Sequence, residues 1–86
     1  MKYTVVWNRR ATNDLAQLWM DGDDRSDIAA ASNYIDEQLS RDPFLEQCEV
    51  VNRIGALIVD PLGVDYWINE HDRIVTVFAV WLVSEE

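Results

Sequence analysis

The stretch RIVTVFAVWLV (73–83) decides the fold. It is rich in β-branched and aromatic residues, a composition that favours a strand. It is also apolar on both faces: Ile74, Phe78, Val80 and Leu82 on one side, against Val75, Val77, Ala79, Trp81 and Val83 on the other. A strand exposed on one face would carry polar residues at every second position. A strand with apolar residues on both faces belongs inside a sheet with both faces at least partly covered.

Working back from that strand, Asn69-Glu70-His71-Asp72 reads as a turn. Before it, Val64, Tyr66 and Ile68 alternate with Asp65 and Trp67, which predicts a strand whose Trp67 faces away from the other three. Asp60-Pro61-Leu62-Gly63 is turn chemistry. Ile54 to Val59 is a third extended run, broken only by Gly55, and Phe44 to Asn52 is an acidic connector. At the other end, YTVVW (3–7) predicts a strand that can pair beside the last one.

Two helices fill the gap. Asn8 is placed as an N-cap, Ala11, Leu15, Leu18 and Trp19 recur at helical intervals, and Gly22 stands where a C-cap belongs. Trp7 and Trp19 are expected in the core between sheet and helices. MDGDDRSD (20–27) is a polar turn in which Asp24 and Asp27 resemble a capping box. Ile28, Ala31, Ile35 and Leu39 then mark a second helix, which stops near Arg41 because Asp42 precedes Pro43. The order is β-α-α-β-β-β. It predicts a two-layer α+β fold over residues 1–86 as one domain, an antiparallel sheet with a helical hairpin on one face. The opposite face then needs a terminus, a second subunit or a partner to cover it.

Composition narrows the function. The 86 residues carry 16 acidic against 7 basic side chains, a formal charge of -9. Nucleic-acid backbones are held chiefly by Lys and Arg, so a generic DNA or RNA binder is disfavoured. Cys48 is the single cysteine, which excludes an intrachain disulfide and a cysteine-rich metal site and fits a reducing cytoplasm. The N-terminus lacks the pattern of a signal peptide. The longest apolar run, Val77–Val83, is far below the about 20 residues needed to span a membrane. Asp21, Asp23, Asp24 and Asp27 fail the calcium-loop pattern, because Arg25, Ser26 and Ser32 hold the third-ligand, glycine and closing-glutamate positions. No metal or cofactor is expected.

Few residues can carry chemistry. Arg53 and Arg73 each open a predicted strand and could clamp one phosphate between them, or else pair with Glu49, Glu70 or Asp72 on the rim. His71, the only histidine, lies in a turn and is an acid or base only if folding brings a substrate to it. Arg9 and Arg10 open the first helix, where Arg10 can pair with Asp14. Trp67, on the uncovered side of the sheet, fits a protein interface, where aromatic residues are enriched.

The whole arrangement resembles the RelE/ParE superfamily, the toxins of plasmid-stabilisation toxin–antitoxin systems. The resemblance is carried by YTVVW (3–7), NDLAQLW (13–19), AAASNYIDEQLSRDP (29–43), IGALIVDPLGV (54–64), INEHDR (68–73) and VTVFAVW (75–81). It implies a type II toxin held inactive by an antitoxin whose extended segment wraps it. RelE-like members cut messenger RNA in the ribosome without a metal, using basic side chains; ParE-like members inhibit DNA gyrase. At the places where related sequences carry basic residues, this chain has Val50, Gly55 and Ala79, and no lysine follows Lys2. Metal-free cleavage needs positive charge at the reacting phosphate.

The resemblance therefore leads to a toxin-family protein acting mainly by binding protein. An antitoxin and a gyrase-like target are the expected partners, with Trp67 and Trp81 as contacts. A homodimer is a further option, and nucleic acid enters only through the ribosome. Two alternatives stay open. One is a metal-independent, ribosome-dependent mRNA endonuclease with a shifted site built from Arg53, Arg73, Tyr66 and His71. The other is a degenerate, non-toxic relative serving as an interaction module.

Overall fold

A computed structural model describes residues 2–21, 25–44 and 48–83. The elements run β1 (Thr4–Trp7), α1 (Arg9–Asp21), α2 (Arg25–Arg41), β2 (Glu49–Val51), β3 (Ile54–Val59), β4 (Leu62–Asn69) and β5 (Ile74–Leu82). The expected α+β class and helical hairpin are present, with one strand more than the expected β-α-α-β-β-β order.

Local chemistry sets the helix boundaries. Asn8 caps α1, its Oδ1 accepting a hydrogen bond from the Ala11 N–H at 2.9 Å. Gly22 and Asp24, expected to close α1 and open α2, lie outside the described residues. α2 buries Ile28, Ala31, Ile35 and Leu39, the stripe read from the 3.6-residue spacing. It ends at Arg41, where the Asp42 N–H still reaches the Gln38 carbonyl at 2.9 Å before Pro43 forbids continuation.

The five strands form one sheet in the order β1-β5-β4-β3-β2. β5 lies inside it between β1 and β4, as its two apolar faces predict. β2 through β5 make an antiparallel meander, while β1 pairs with β5 in parallel. The sheet is thus mixed, which corrects the expected antiparallel one: the chain leaves β1 through two helices and the β2–β4 meander before it reaches β5, a long connection of the kind that parallel neighbours require. β2 is an addition within the supposed connector. Its two-residue turn, Asn52–Arg53, has φ of 53° and 66° and so is of the I′ type. Leu62 and Gly63, read as turn residues, belong to β4, and only Asp60 and Pro61 separate β3 from β4.

The alternation of β5 departs from the simple reading. Tyr66 pairs with Val77 and Asp65 with Ala79, which leaves Phe78 as an extra residue in a β-bulge. One added residue reverses the alternation beyond it. Val80 and Leu82 therefore join the face of Val75 and Val77, and Ala79 and Trp81 join that of Ile74 and Thr76.

The helices cover the first of these faces. Ile28, Ile35 and Leu39 pack with Leu57, Val64, Tyr66 and Val77 in one buried cluster. Trp7 packs at its margin, its Nε1–H donating to Asp36 Oδ1 at 3.0 Å. Trp19 corrects the expectation of a core residue: it is 43% exposed, with the Arg25 guanidinium 4.6 Å from its ring. It stands about 100° round the helix from Leu18, outside the stripe that meets the sheet.

Candidate functional site

The face of the sheet turned away from the helices is an uncovered apolar surface. Register fixes its members in three rows that cross the strands. Val6, Thr76, Trp67, Ile54 and Val51 form one row; Ala79, Asp65, Ala56 and Glu49 the next; Trp81, Gly63 and Ile58 the third. Ile58 is 59% exposed, and Val6, Ile54 and Trp67 more than 40%. Exposed β-branched and aromatic residues gathered on one sheet face make it the candidate docking surface. Trp67 and Trp81 both lie here, as the sequence led one to expect of Trp67.

Gly63 shapes the third row. A Cβ there would stand 2.7 Å from Trp81 Nε1, inside contact distance. The bare backbone of Gly63 lets the Trp81 indole lie across β4 rather than stand up from β5.

Among the described residues, no Lys or Arg occupies a strand position on this face. The three positions where the resemblance implied cations divide between the two faces. Val50 and Gly55 pair with each other and, with Tyr66 opposite Gly55, point toward the helices; Ala79 alone faces outward. Asp65 is the charge at the centre of the middle row, which ends in Glu49 opposite Ala56 on β2.

The cations collect instead at one end of the sheet. Four of the seven Lys and Arg residues lie there: Lys2 before β1, Arg41 at the end of α2, Arg53 in the β2–β3 turn and Arg73 before β5. The end is tied together by the Tyr3 N–H donating to the Ser40 carbonyl at 2.7 Å and the Thr4 N–H to the Arg73 carbonyl at 2.8 Å. Arg41 pairs with Glu37 at 3.0 Å, and Arg53 with Glu70 at 2.9 Å. Arg73 sits over the Tyr3 ring, 5.6 Å from its centroid. Arg10 pairs with Asp14 at 3.9 Å, on α1 and away from this end.

The four residues proposed for a shifted catalytic site do not converge. Arg53 and His71 line a cavity of about 310 Å³ with Trp67, Asn69 and Glu70. Arg73 is engaged with Tyr3 instead. Tyr66 is fully buried, and its hydroxyl donates to the Pro43 carbonyl at 2.8 Å. Burial, first, and then the neighbouring Cys48 push the Tyr66 phenol well above its ordinary value. A phenol so placed neither ionises readily nor reaches a substrate. Sequence reading missed Ile54 and Ile58 as surface residues. Alternation along β3 and β4 was the available signal, but the supposed turn at Leu62–Gly63 hid the register.

No protein-family model matches the chain, and no curated protein does. Solved structures do. A chain of the toxin–antitoxin complex RelBE2 from Mycobacterium tuberculosis superposes with a TM-score of 0.78 at 21% identity, over 95% of this chain and 99% of that one. The E. coli toxin RelE, as an arginine-to-alanine double mutant in the free state, superposes with a TM-score of 0.71 at 14% identity, over 93% of this chain and 82% of that one. At these identities the likeness is one of architecture, and the architecture of this chain is the RelE-like toxin fold.

Proposed function

We propose that this chain is a toxin-fold protein of a type II toxin–antitoxin pair that works by binding protein. The observation that carries the reading is the uncovered sheet face, apolar and aromatic, with Asp65 at its centre and no strand-borne cation. An antitoxin is the first partner, by analogy with the RelBE2 complex, which is itself a toxin–antitoxin assembly. A gyrase-like protein is the second. The net charge of -9 favours a basic partner and opposes approach to ribosomal RNA.

The cavity that Arg53 shares with His71 and Trp67 supports a second reading, an mRNA endonuclease with a displaced site. Induced expression in bacteria, with ribosome-associated cleavage mapped in the same cells, separates the two. Growth arrest without cleavage, relieved by co-expression of a basic antitoxin, is the expected result. Cleavage that disappears in Arg53→Ala or His71→Ala would overturn it. Growth unaffected by abundant folded protein would leave a non-toxic interaction module.

A further inference from the structure

The uncovered face is not flat. Trp67 and Ile54 raise one ridge, Ile58 and the Trp81 indole laid over Gly63 bound the other side, and the row between them is Ala79, Asp65, Ala56 and, on β2, Glu49. The ridges are separated by four residues along β4, Gly63 to Trp67, or about 13 Å at the rise of a strand. An α-helix with its side chains is about 10–12 Å across. From β5 to β2 this row is three strand spacings wide, about 14 Å. That accommodates two to three turns of helix lying across the strands.

Asp65 is the distinguishing feature of this trough. It lies half-buried on the floor, between two alanines, and makes no ion pair among the described residues. A wholly apolar occupant would strip water from this carboxylate without replacing it, which is costly. An occupant with a cation at the matching place would pair it in a partly desolvated setting. A second copy of this chain is a poor fit. A two-fold sheet-to-sheet contact would bring Asp65 toward its own copy and press two chains of charge -9 together.

Building on the protein-binding reading above, we propose that the trough receives an amphipathic helix from a partner. The helix lies across the strands and carries a lysine or arginine in the middle of its apolar face, paired with Asp65. Trp81 and Ile58 on one side, and Trp67 and Ile54 on the other, grip its flanks. The carboxylate selects among apolar helices that the ridges alone would accept equally.

The test is a selection from a phage-displayed library of amphipathic helical peptides, randomised at one position in the centre of the apolar face. Panning is done on the full chain and on its Asp65→Lys and Ile58→Glu variants. Both positions are on the surface, and circular dichroism confirms that the variants fold. Against the parent, peptides with central Lys or Arg should be enriched and should bind at least tenfold more tightly than their Glu counterparts. Asp65→Lys should reverse the preference, and Ile58→Glu should abolish capture. Enrichment that ignores the residue at 65, or that survives Ile58→Glu, overturns the proposal. In that case peptides bound elsewhere leave the protein-binding reading standing. Failure to enrich any helix, or a dimer in sedimentation that buries Trp67 and Trp81, overturns it as well.

Discussion

Gly55 lies beneath the ring of Tyr66. The two pair across β3 and β4, and a Cβ at Gly55 would stand 2.6 Å from the Tyr66 hydroxyl oxygen. Tyr66 has no room to give way, because it is fully buried and its hydroxyl is held by the Pro43 carbonyl at 2.8 Å. Gly55→Ala should therefore destabilise the fold by about 1–3 kcal/mol, as overpacked cores do. Urea denaturation measures this directly, and a midpoint equal to the parent's would show that the ring moves freely. The same contact bars any cationic side chain at position 55 from the buried face.

The Tyr66 phenol also gives a pH signature. Its ordinary value is 10.0, and burial first, with Cys48 second, raises it in the folded state. The unfolded chain therefore releases this proton at lower pH than the folded one. Stability is unaffected below about pH 10 and falls as pH rises through the interval between the two values. The slope for one group is about 1.4 kcal/mol per pH unit. Tyr66→Phe should cost about 1–3 kcal/mol at neutral pH, because the Pro43 carbonyl loses its partner. It should also remove this component of the alkaline slope. Melting curves of parent and variant between pH 8 and 11 check both, and parallel alkaline profiles would count against the buried phenol.

Ile35 and Leu39 are both fully buried on the face of α2 that meets the sheet. Truncation of either to alanine should cost about 2–5 kcal/mol, the range for cavities in well-packed cores. The same change at Tyr34, half exposed on α2, should cost far less. Equal melting temperatures for Ile35→Ala and Tyr34→Ala would refute the assigned helix face.

The sequence was informative wherever one residue type has one strong preference. Asn8 as a cap, the Ile28–Leu39 stripe and the doubly apolar β5 were all legible. Four features were not, each for a physical reason. The bulge at Phe78 inserts a residue without any glycine to mark it, so strict alternation misplaced Val80 and Trp81. β2 is three residues long, too short for periodicity to register. Tyr66 has the side chain of a catalytic group, and only tertiary packing reveals that its hydroxyl is spent on Pro43. The trough around Asp65 depends on pairing across three strands, and no local pattern encodes that.

Arg53 and Arg73 occupy backbone positions that suit glycine, with φ of 66° and 56°. In the β2–β3 turn the second central residue of a I′ hairpin is most often glycine, and Arg53 stands there instead. Such a conformation costs about 1 kcal/mol or more for a side chain with a Cβ. The ion pair of Arg53 with Glu70 is exposed on both sides and returns at most about 1 kcal/mol. Arg53→Gly should therefore be neutral to stabilising by up to about 1 kcal/mol. Arg53→Ala, which keeps the Cβ, should be neutral to mildly destabilising. If the arginine serves only the turn, both variants keep every binding activity of the parent. A glycine variant that melts higher but loses partner or RNA binding would show that Arg53 is kept for recognition at the cost of the turn. Thermal melting and binding measured on the same three proteins distinguish these outcomes, and a several-degree loss in Arg53→Gly would refute the strain assigned to this turn.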